Sequence, residues 1–134
     1  MVLQSLAGLP AFLAYLCISI VAIVIYVLIY TWLTGHDEFK LIDKGQPGAA
    51  VALGLSLIGF ALPLASAIAH ASNVVDCAIW GVIALGVQIG AYYLASIPVP
   101  SLSKRIATGD LAAGLWLGLS SMTAGLLSAA SMTW

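Results

Sequence analysis

The sequence predicts an all-α integral membrane protein whose four transmembrane helices form two parallel two-helix repeats, N-out/C-out. Three observations carry this reading. Hydrophobic residues make up 63% of the 134-residue chain and charged residues only 7%, against roughly a quarter charged in ordinary soluble domains. Four apolar stretches, at about 10–33, 48–72, 76–97 and 111–134, reach the roughly 20 residues a helix needs to cross the hydrocarbon core. Finally, Lys40, Ile42, Gly45, Ala49, Leu53, Gly54, Leu55, Ser56, Leu62 and Ala65 recur 64 positions later as Lys104, Ile106, Gly109, Ala113, Leu117, Gly118, Leu119, Ser120, Leu126 and Ala129. The first repeat covers residues 1–72 and the second 73–134.

Charge placement sets the expected orientation. The four basic residues lie in two connectors, Lys40 and Lys44 after the first span and Lys104 and Arg105 after the third. An even number of crossings separates these connectors, so both face one side, and the positive-inside rule makes that side cytoplasmic. So little chain lies outside the bilayer that a soluble catalytic domain is excluded by length. A net charge of −1 without a basic patch offers nothing to nucleic acid.

Span 1 begins without Lys or Arg in its first twenty residues, which argues against a cleaved signal peptide and for a retained helix. Its second half, Ile23 to Tyr30, reads as a lipid-facing surface ending in an interfacial aromatic belt at Tyr30 and Trp32. Tyr92 and Tyr93 of span 3 fall at the same level, with Trp80 and Trp134 at the opposite one. Cys17 and Cys77 have no CxxC or metal spacing and read as small apolar thiols.

Each connector is expected to be a short helix lying in the membrane interface. In the first, Asp37 and Glu38 precede Lys40 and Lys44, an order that suits the helix dipole, and Gly45 with Pro47 supplies the stop. In the second, Pro98 and Pro100 end span 3, Ser101 can cap, and Gly109 closes before Asp110 caps span 4. Phe39 and Ile42, like Leu102 and Ile106, give each helix an apolar side.

Spans 2 and 4 differ from the others in carrying small residues at helical spacing. On span 4, Gly114, Gly118, Ser121, Gly125 and Ser128 form one stripe; the repeat partners on span 2 are Ala50, Gly54, Leu57, Ala61 and Leu64. Helices in lipid associate through close backbone approach, which small residues permit. Ala50, Gly54, Gly114, Gly118, Ser121 and Gly125 are therefore the expected packing or oligomer interface. The competing reading, a pore wall, demands the same surface left open. Parallel repeats are related by an axis along the membrane normal, and a homo-oligomer is expected.

Polar candidates inside the spans are few. His70 and Asp76 flank the turn at residues 73–75 and read as a possible contact across it, or as a headgroup-wetted imidazole beside a helix cap. Gln88 sits mid-span and must find a partner, as interhelical glue or as a substrate contact. Pro63 frees a backbone carbonyl and is a kink or a hinge. His36, Asp37 and Glu38 are adjacent, so they cannot all face one ion from a short helix. No catalytic, cofactor or metal signature is present, and the chain reads as non-enzymatic.

The stretch Asp76-Cys77-Ala78-Ile79-Trp80-Gly81-Val82-Ile83-Ala84-Leu85-Gly86-Val87-Gln88 resembles the DxxAWGxxALxxQ segment of the YjfL-like bacterial inner-membrane proteins, the family called domain of unknown function 350. So do the join Leu41-Ile42-Asp43-Lys44-Gly45-Gln46-Pro47-Gly48-Ala49-Ala50 and the close of the chain from Ala112 to Trp134. The resemblance implies a four-span, two-repeat protein of the bacterial inner membrane. Through the family's genomic neighbours it also implies a role in envelope or membrane stress with a cytoplasmic membrane-associated partner. It supplies no catalytic or binding residues. The alternative function is a small channel or transporter for ions or polyamines.

Overall fold

The structure, a computed structural model, describes residues 2–34, 38–99 and 101–132. These are all-helical: α1 Val2–Leu6, α2 Leu9–Thr34, α3 Glu38–Asp43, α4 Pro47–His70, α5 Val74–Ser96, α6 Leu102–Ala107 and α7 Leu111–Ser131. By length and composition α2, α4, α5 and α7 are able to cross a membrane. The 21 residues of α7, the shortest of them, rise about 30 Å at 1.5 Å each, the thickness of the hydrocarbon core. Trp134, expected at one interface, and His36 and Asp37 lie outside the described residues.

The most extensive contact in the bundle joins α4 to α7. The contacts run in the same order along both helices, so the two are parallel: Gly48 meets Gly114, Leu55 meets Gly118, Gly59 meets Gly125, and Ser66 Oγ donates to the Ala129 carbonyl at 3.1 Å. At Gly48, Gly59, Gly114 and Gly125 backbone lies against backbone. A Cβ on Gly48 would sit 2.6 Å from the Asp110 carbonyl oxygen and one on Gly59 2.5 Å from that of Ser121, while Cβ atoms on Gly114 and Gly125 would strike the Gly48 and Gly59 carbonyls. In lipid, where burying apolar surface gives no gain between helices, this proximity supplies the dispersion energy that holds them.

The face of α4 that meets α7 differs from the sequence expectation. Gly54 is exposed with nothing within 4 Å of an added Cβ, and Ala50 is half-buried. The repeat aligns positions 64 apart, whereas the packing register pairs Gly48 with Gly114 and Gly59 with Gly125, both 66 apart. A helix turns by about 100° per residue, so two residues of slip carry the contact to a different face of α4. Gly114, Gly118, Ser121 and Gly125 do lie in this contact, buried.

α5 packs on both members of the central pair, and Trp116 Nε1 of α7 donates to the Ala95 carbonyl near its end at 2.9 Å. The sequence suggested that the second half of α2 faces lipid. Val24, Ile25 and Leu28 are exposed as expected, but the same half carries the buried residues of α2, Tyr26, Tyr30 and Thr34, and the Tyr26 ring stacks on Phe60 with centroids 4.8 Å apart. Tyr26, Tyr30 and Thr34 recur every four residues and so share one side of the helix, and Ala22, Ile23 and Leu33 pack against the core beside them. Trp32 points outward at 79% exposure.

Both short helices end in the same way. Gly45 (φ +80°) and Gly109 (φ +89°) occupy the left-handed region that glycine alone enters without strain. Gly45 N–H donates to Ile42 and Gln46 N–H to Leu41, as Gly109 N–H does to Ile106 and Asp110 N–H to Arg105, the paired closure of a Schellman motif. The helices differ in what they cover. Leu102 and Ile106 of α6 are buried in the core, whereas Phe39 and Ile42 of α3 are 59% and 37% exposed. The expectation that each short helix lies in the membrane interface on its apolar side therefore does not describe Leu102 and Ile106, because α6 folds back against α4 and α7. Ser101 adopts φ +58° and makes no side-chain cap; instead the neighbouring Ser103 hydroxyl donates to the Thr34 carbonyl.

Asp110 caps α7, accepting from Ala113 N–H at 3.2 Å, and Arg105 approaches the same carboxylate at 2.8 Å. The Ala113 hydrogen bond first, then the Arg105 guanidinium, holds the Asp110 carboxyl below the usual carboxylate range. Folding thus favours the ionised form. The contribution is complete above the ordinary carboxylate range and is lost as pH falls through the lower value of the folded protein. The stability advantage of wild type over Asp110→Asn should accordingly be largest near neutral pH and shrink on acidification; a gap independent of pH would refute this assignment. Gly125→Ala should cost about 1–3 kcal/mol by overpacking, measured by unfolding in detergent or bicelles. Gly54→Ala, with open space around an added Cβ, should not destabilise the single chain in detergent and should gain up to about 1 kcal/mol from the helix preference of alanine over glycine.

Candidate functional site

The polar centre of the bundle originates in one missing hydrogen atom. Pro63 has no backbone N–H, so the carbonyl of Gly59, four residues earlier in α4, loses its ordinary helical donor. An unsatisfied carbonyl at this depth has no water to turn to. Gln88 of α5 fills the role: its Nε2 donates to the Gly59 carbonyl at 3.1 Å and to the Ser121 carbonyl of α7 at 3.3 Å. One amide thereby ties three helices together. Gly59 and Gly125, both without Cβ, leave the carbonyl open to it.

Hydroxyl groups surround this junction. Ser56 Oγ and Ser121 Oγ are 3.3 Å apart across the α4–α7 contact, and the Tyr26 hydroxyl of α2 faces both serines. All four transmembrane helices therefore contribute a polar group to one level of the bundle. Gln88 is 1% exposed, and its Oε1 has no hydrogen-bond partner among the described residues. The lone pairs of Oε1 make this a place that accepts a hydrogen bond.

The arrangement is electrically neutral. Buried polar side chains among the described residues are Thr34, Ser56, Gln88 and Ser121, none of them charged. Such a set can bind and orient through hydrogen bonds, but it contains no group that exchanges a proton readily near neutral pH. No group of three or more His, Cys, Asp or Glu suited to a metal exists among the described residues. Cys17 is exposed, Cys77 is buried, and neither is in a disulfide.

His70 and Asp76 do not join Gln88. Asp76 lies 12 residues before Gln88 on α5, about 18 Å along the axis. At the α4–α5 turn Asn73, not Asp76, is the cap: its Oδ1 accepts from Asp76 N–H at 2.8 Å, and Asp76 Oδ2 accepts in return from Ser72 N–H at 3.1 Å. This reciprocal closure resembles a capping box. His70 is exposed and its Nδ1 lies 2.9 Å from the Ser66 carbonyl of its own helix. The sequence grouping of His70, Asp76 and Gln88 thus separates into a turn and a buried centre. Tyr26, Ser56 and Gly59 were absent from that grouping. The signal for Gly59 was available in the sequence, four positions before Pro63.

Next to this centre, Cys17, Val21, Phe60, Leu64, Gly81 and Leu85 border an apolar crevice of about 350 Å³ between α2, α4 and α5. It is open at the side and contains almost no polar surface.

A family model described as Domain of Unknown Function (DUF350) matches residues 4–132. The UPF0719 inner membrane protein YjfL of Escherichia coli strain K12 and that of Escherichia coli O157:H7 are each 35% identical to this chain over 132 residues, covering 98% of it and 100% of the relative. No solved structure matches.

The Pro63–Gln88 relation has a thermodynamic signature. Gln88→Leu should destabilise the bundle by about 1–2 kcal/mol, the range for interhelical hydrogen bonds in lipid. In the Pro63→Ala background residue 63 regains an N–H for the Gly59 carbonyl, so the same substitution should cost less. A double-mutant cycle in bicelles reads this coupling directly; additive effects would show that Gln88 does not serve the carbonyl freed by Pro63.

Proposed function

The chain belongs to the DUF350 family of inner-membrane proteins, and on that footing we propose that it is a non-enzymatic, homo-oligomeric membrane module that recruits a cytoplasmic membrane-associated protein through α3. Its orientation in this reading is N-out/C-out, with α3 and α6 on the cytoplasmic side, which the placement of Lys40, Lys44, Lys104 and Arg105 supports. The two short helices then have different duties. α6 is part of the fold, whereas α3 presents Phe39 and Ile42 beside two lysines at the membrane surface.

The observation that carries the proposal is this difference in exposure between two segments of similar sequence plan: Ile106 is fully buried and Ile42 is not. Exposed apolar side chains next to basic ones suit a partner that itself sits on the anionic inner leaflet. A role in envelope or membrane stress agrees with such recruitment. Parallel two-helix repeats would supply the scaffold.

The alternative, a channel or transporter for ions or polyamines, draws on Gln88 with its unpartnered Oε1. Against it stand the closed α4–α7 contact and the absence of a buried charge among the described residues, since transport paths through the bilayer are ordinarily marked by one.

Affinity purification of the tagged protein from its native membranes should recover a cytoplasmic protein in near-stoichiometric amount. Phe39→Ser with Ile42→Ser should abolish that recovery and leave membrane insertion and unfolding unchanged. Leu102→Ser with Ile106→Ser should instead destabilise the bundle. If the Phe39 and Ile42 variant retains the partner, or wild type recovers none, the module reading is wrong. Efflux of ions or polyamines from liposomes, lost in Gln88→Leu, would establish the alternative.

A further inference from the structure

The α4–α7 contact is head-to-tail. α4 uses one face (Gly48, Leu55, Gly59) and α7 uses another (Gly114, Gly118, Gly125), although the two helices carry corresponding residues at a spacing of 64. Each helix therefore owns both kinds of face and uses only one. On α4 the counterparts of Gly114, Gly118 and Gly125 are Ala50, Gly54 and Ala61; Gly54 and Ala61 are exposed and Ala50 is half-buried. On α7 the counterparts of Gly48, Leu55 and Gly59 are Ala112, Leu119 and Thr123, all exposed. The complementary halves of one known contact thus lie uncovered on opposite members of the central pair.

We propose that a second copy of this chain occupies the outer face of α4, docking its α7 there in the manner of the α4–α7 contact within the chain, so that Leu119 of one copy packs over Gly54 of the next. The occupant follows from continuity with the existing interface. Leu55 lies over Gly118 in the chain, its Cβ 2.6 Å from where a Cβ on that glycine would stand, and Leu119 and Gly54 repeat that pair of residue types. Open space above Gly54 receives the leucine: nothing lies within 4 Å of an added Cβ there. Head-to-tail contacts generate rings where the rotation closes, and contacts between parallel helices keep every copy upright in the bilayer.

The contact between copies is wider than its template. Within the chain Gly48 faces Gly114 and Gly59 faces Gly125; between copies Ala112 faces Ala50 and Thr123 faces Ala61. Each added Cβ holds the backbones apart, so copies separate more readily than α4 separates from α7. The chain stays folded as a unit while its assembly is reversible.

This inference rests on the oligomeric reading above, and the experiment separates the two. In a Cys17→Ala background, with buried Cys77 retained, one tagged chain carries Gly54→Cys and a differently tagged chain carries Leu119→Cys. Both are co-expressed, and native membranes are oxidised with copper phenanthroline. The mixed pair should form a disulfide-linked dimer at least ten-fold more efficiently than Gly54→Cys paired with Val82→Cys, a lipid-facing collision control. Gly54→Cys should not cross-link to itself. Subunit counting by photobleaching in the same membranes gives the oligomeric state, and unfolding profiles verify that each variant folds. An oligomer that lacks the mixed cross-link, or one that shows a Gly54–Gly54 cross-link, overturns this surface and leaves oligomerisation standing. Single copies throughout overturn both.

Discussion

The bundle depends on how closely two backbones approach. Where α4 crosses α7, glycine on both sides removes the atoms that would hold them apart, and the carbonyls of Gly48 and Gly59 lie where Cβ atoms of Gly114 and Gly125 would be. In water such a pair would be reinforced by expulsion of solvent. In lipid the reinforcement must come from contact itself, and contact energy falls steeply with distance. The remaining helices arrange themselves around this seam: α5 against both members, α6 folded under them, and α2 attached mainly by its second half, where Tyr26, Tyr30 and Thr34 are buried.

Closeness at the seam also creates a difficulty that α5 resolves. Pro63 leaves the Gly59 carbonyl without its helical donor, and the same absence of side chains that lets α7 approach exposes that oxygen. Gln88 supplies the donor, at the cost of an amide oxygen that is itself left without a partner among the described residues. A polar level running through Tyr26, Ser56, Ser121 and Gln88 is the result. It contains hydrogen-bonding capacity without charge.

Much of this was legible in the chain before any coordinates. Composition and the spacing of apolar runs give four spans, and the small residues of the 48–72 and 111–134 segments mark the pair at the centre. Even the register was written there: Gly48 and Gly59 are 11 residues apart, as are Gly114 and Gly125, and 11 residues are close to three full turns. What hid it was the pattern of identities 64 positions apart, which aligns Gly54 with Gly118, whereas packing aligns positions by the angle at which the helices meet. The fates of α3 and α6 were not legible. Phe39 and Ile42 resemble Leu102 and Ile106 as amphipathic pairs, and nothing local states which apolar side finds a cover. The aromatic residues of α2 misled for a related reason, since Tyr26 and Tyr30 suit an interface belt and a core contact equally well.

The distance in sequence between the two halves of the seam has a bearing on biogenesis. Gly59 and Gly125 are 66 residues apart, so when α4 first enters the membrane from the ribosome, the helix that will cover it has not been made. Until then its glycine face and the unsatisfied Gly59 carbonyl stand in lipid. α5 follows after a turn of a few residues and brings Gln88 at once, so the amide is able to take up the carbonyl well before α7 arrives. The glutamine would then act as a chaperone within the chain, guarding the seam until the helix that closes it is synthesised.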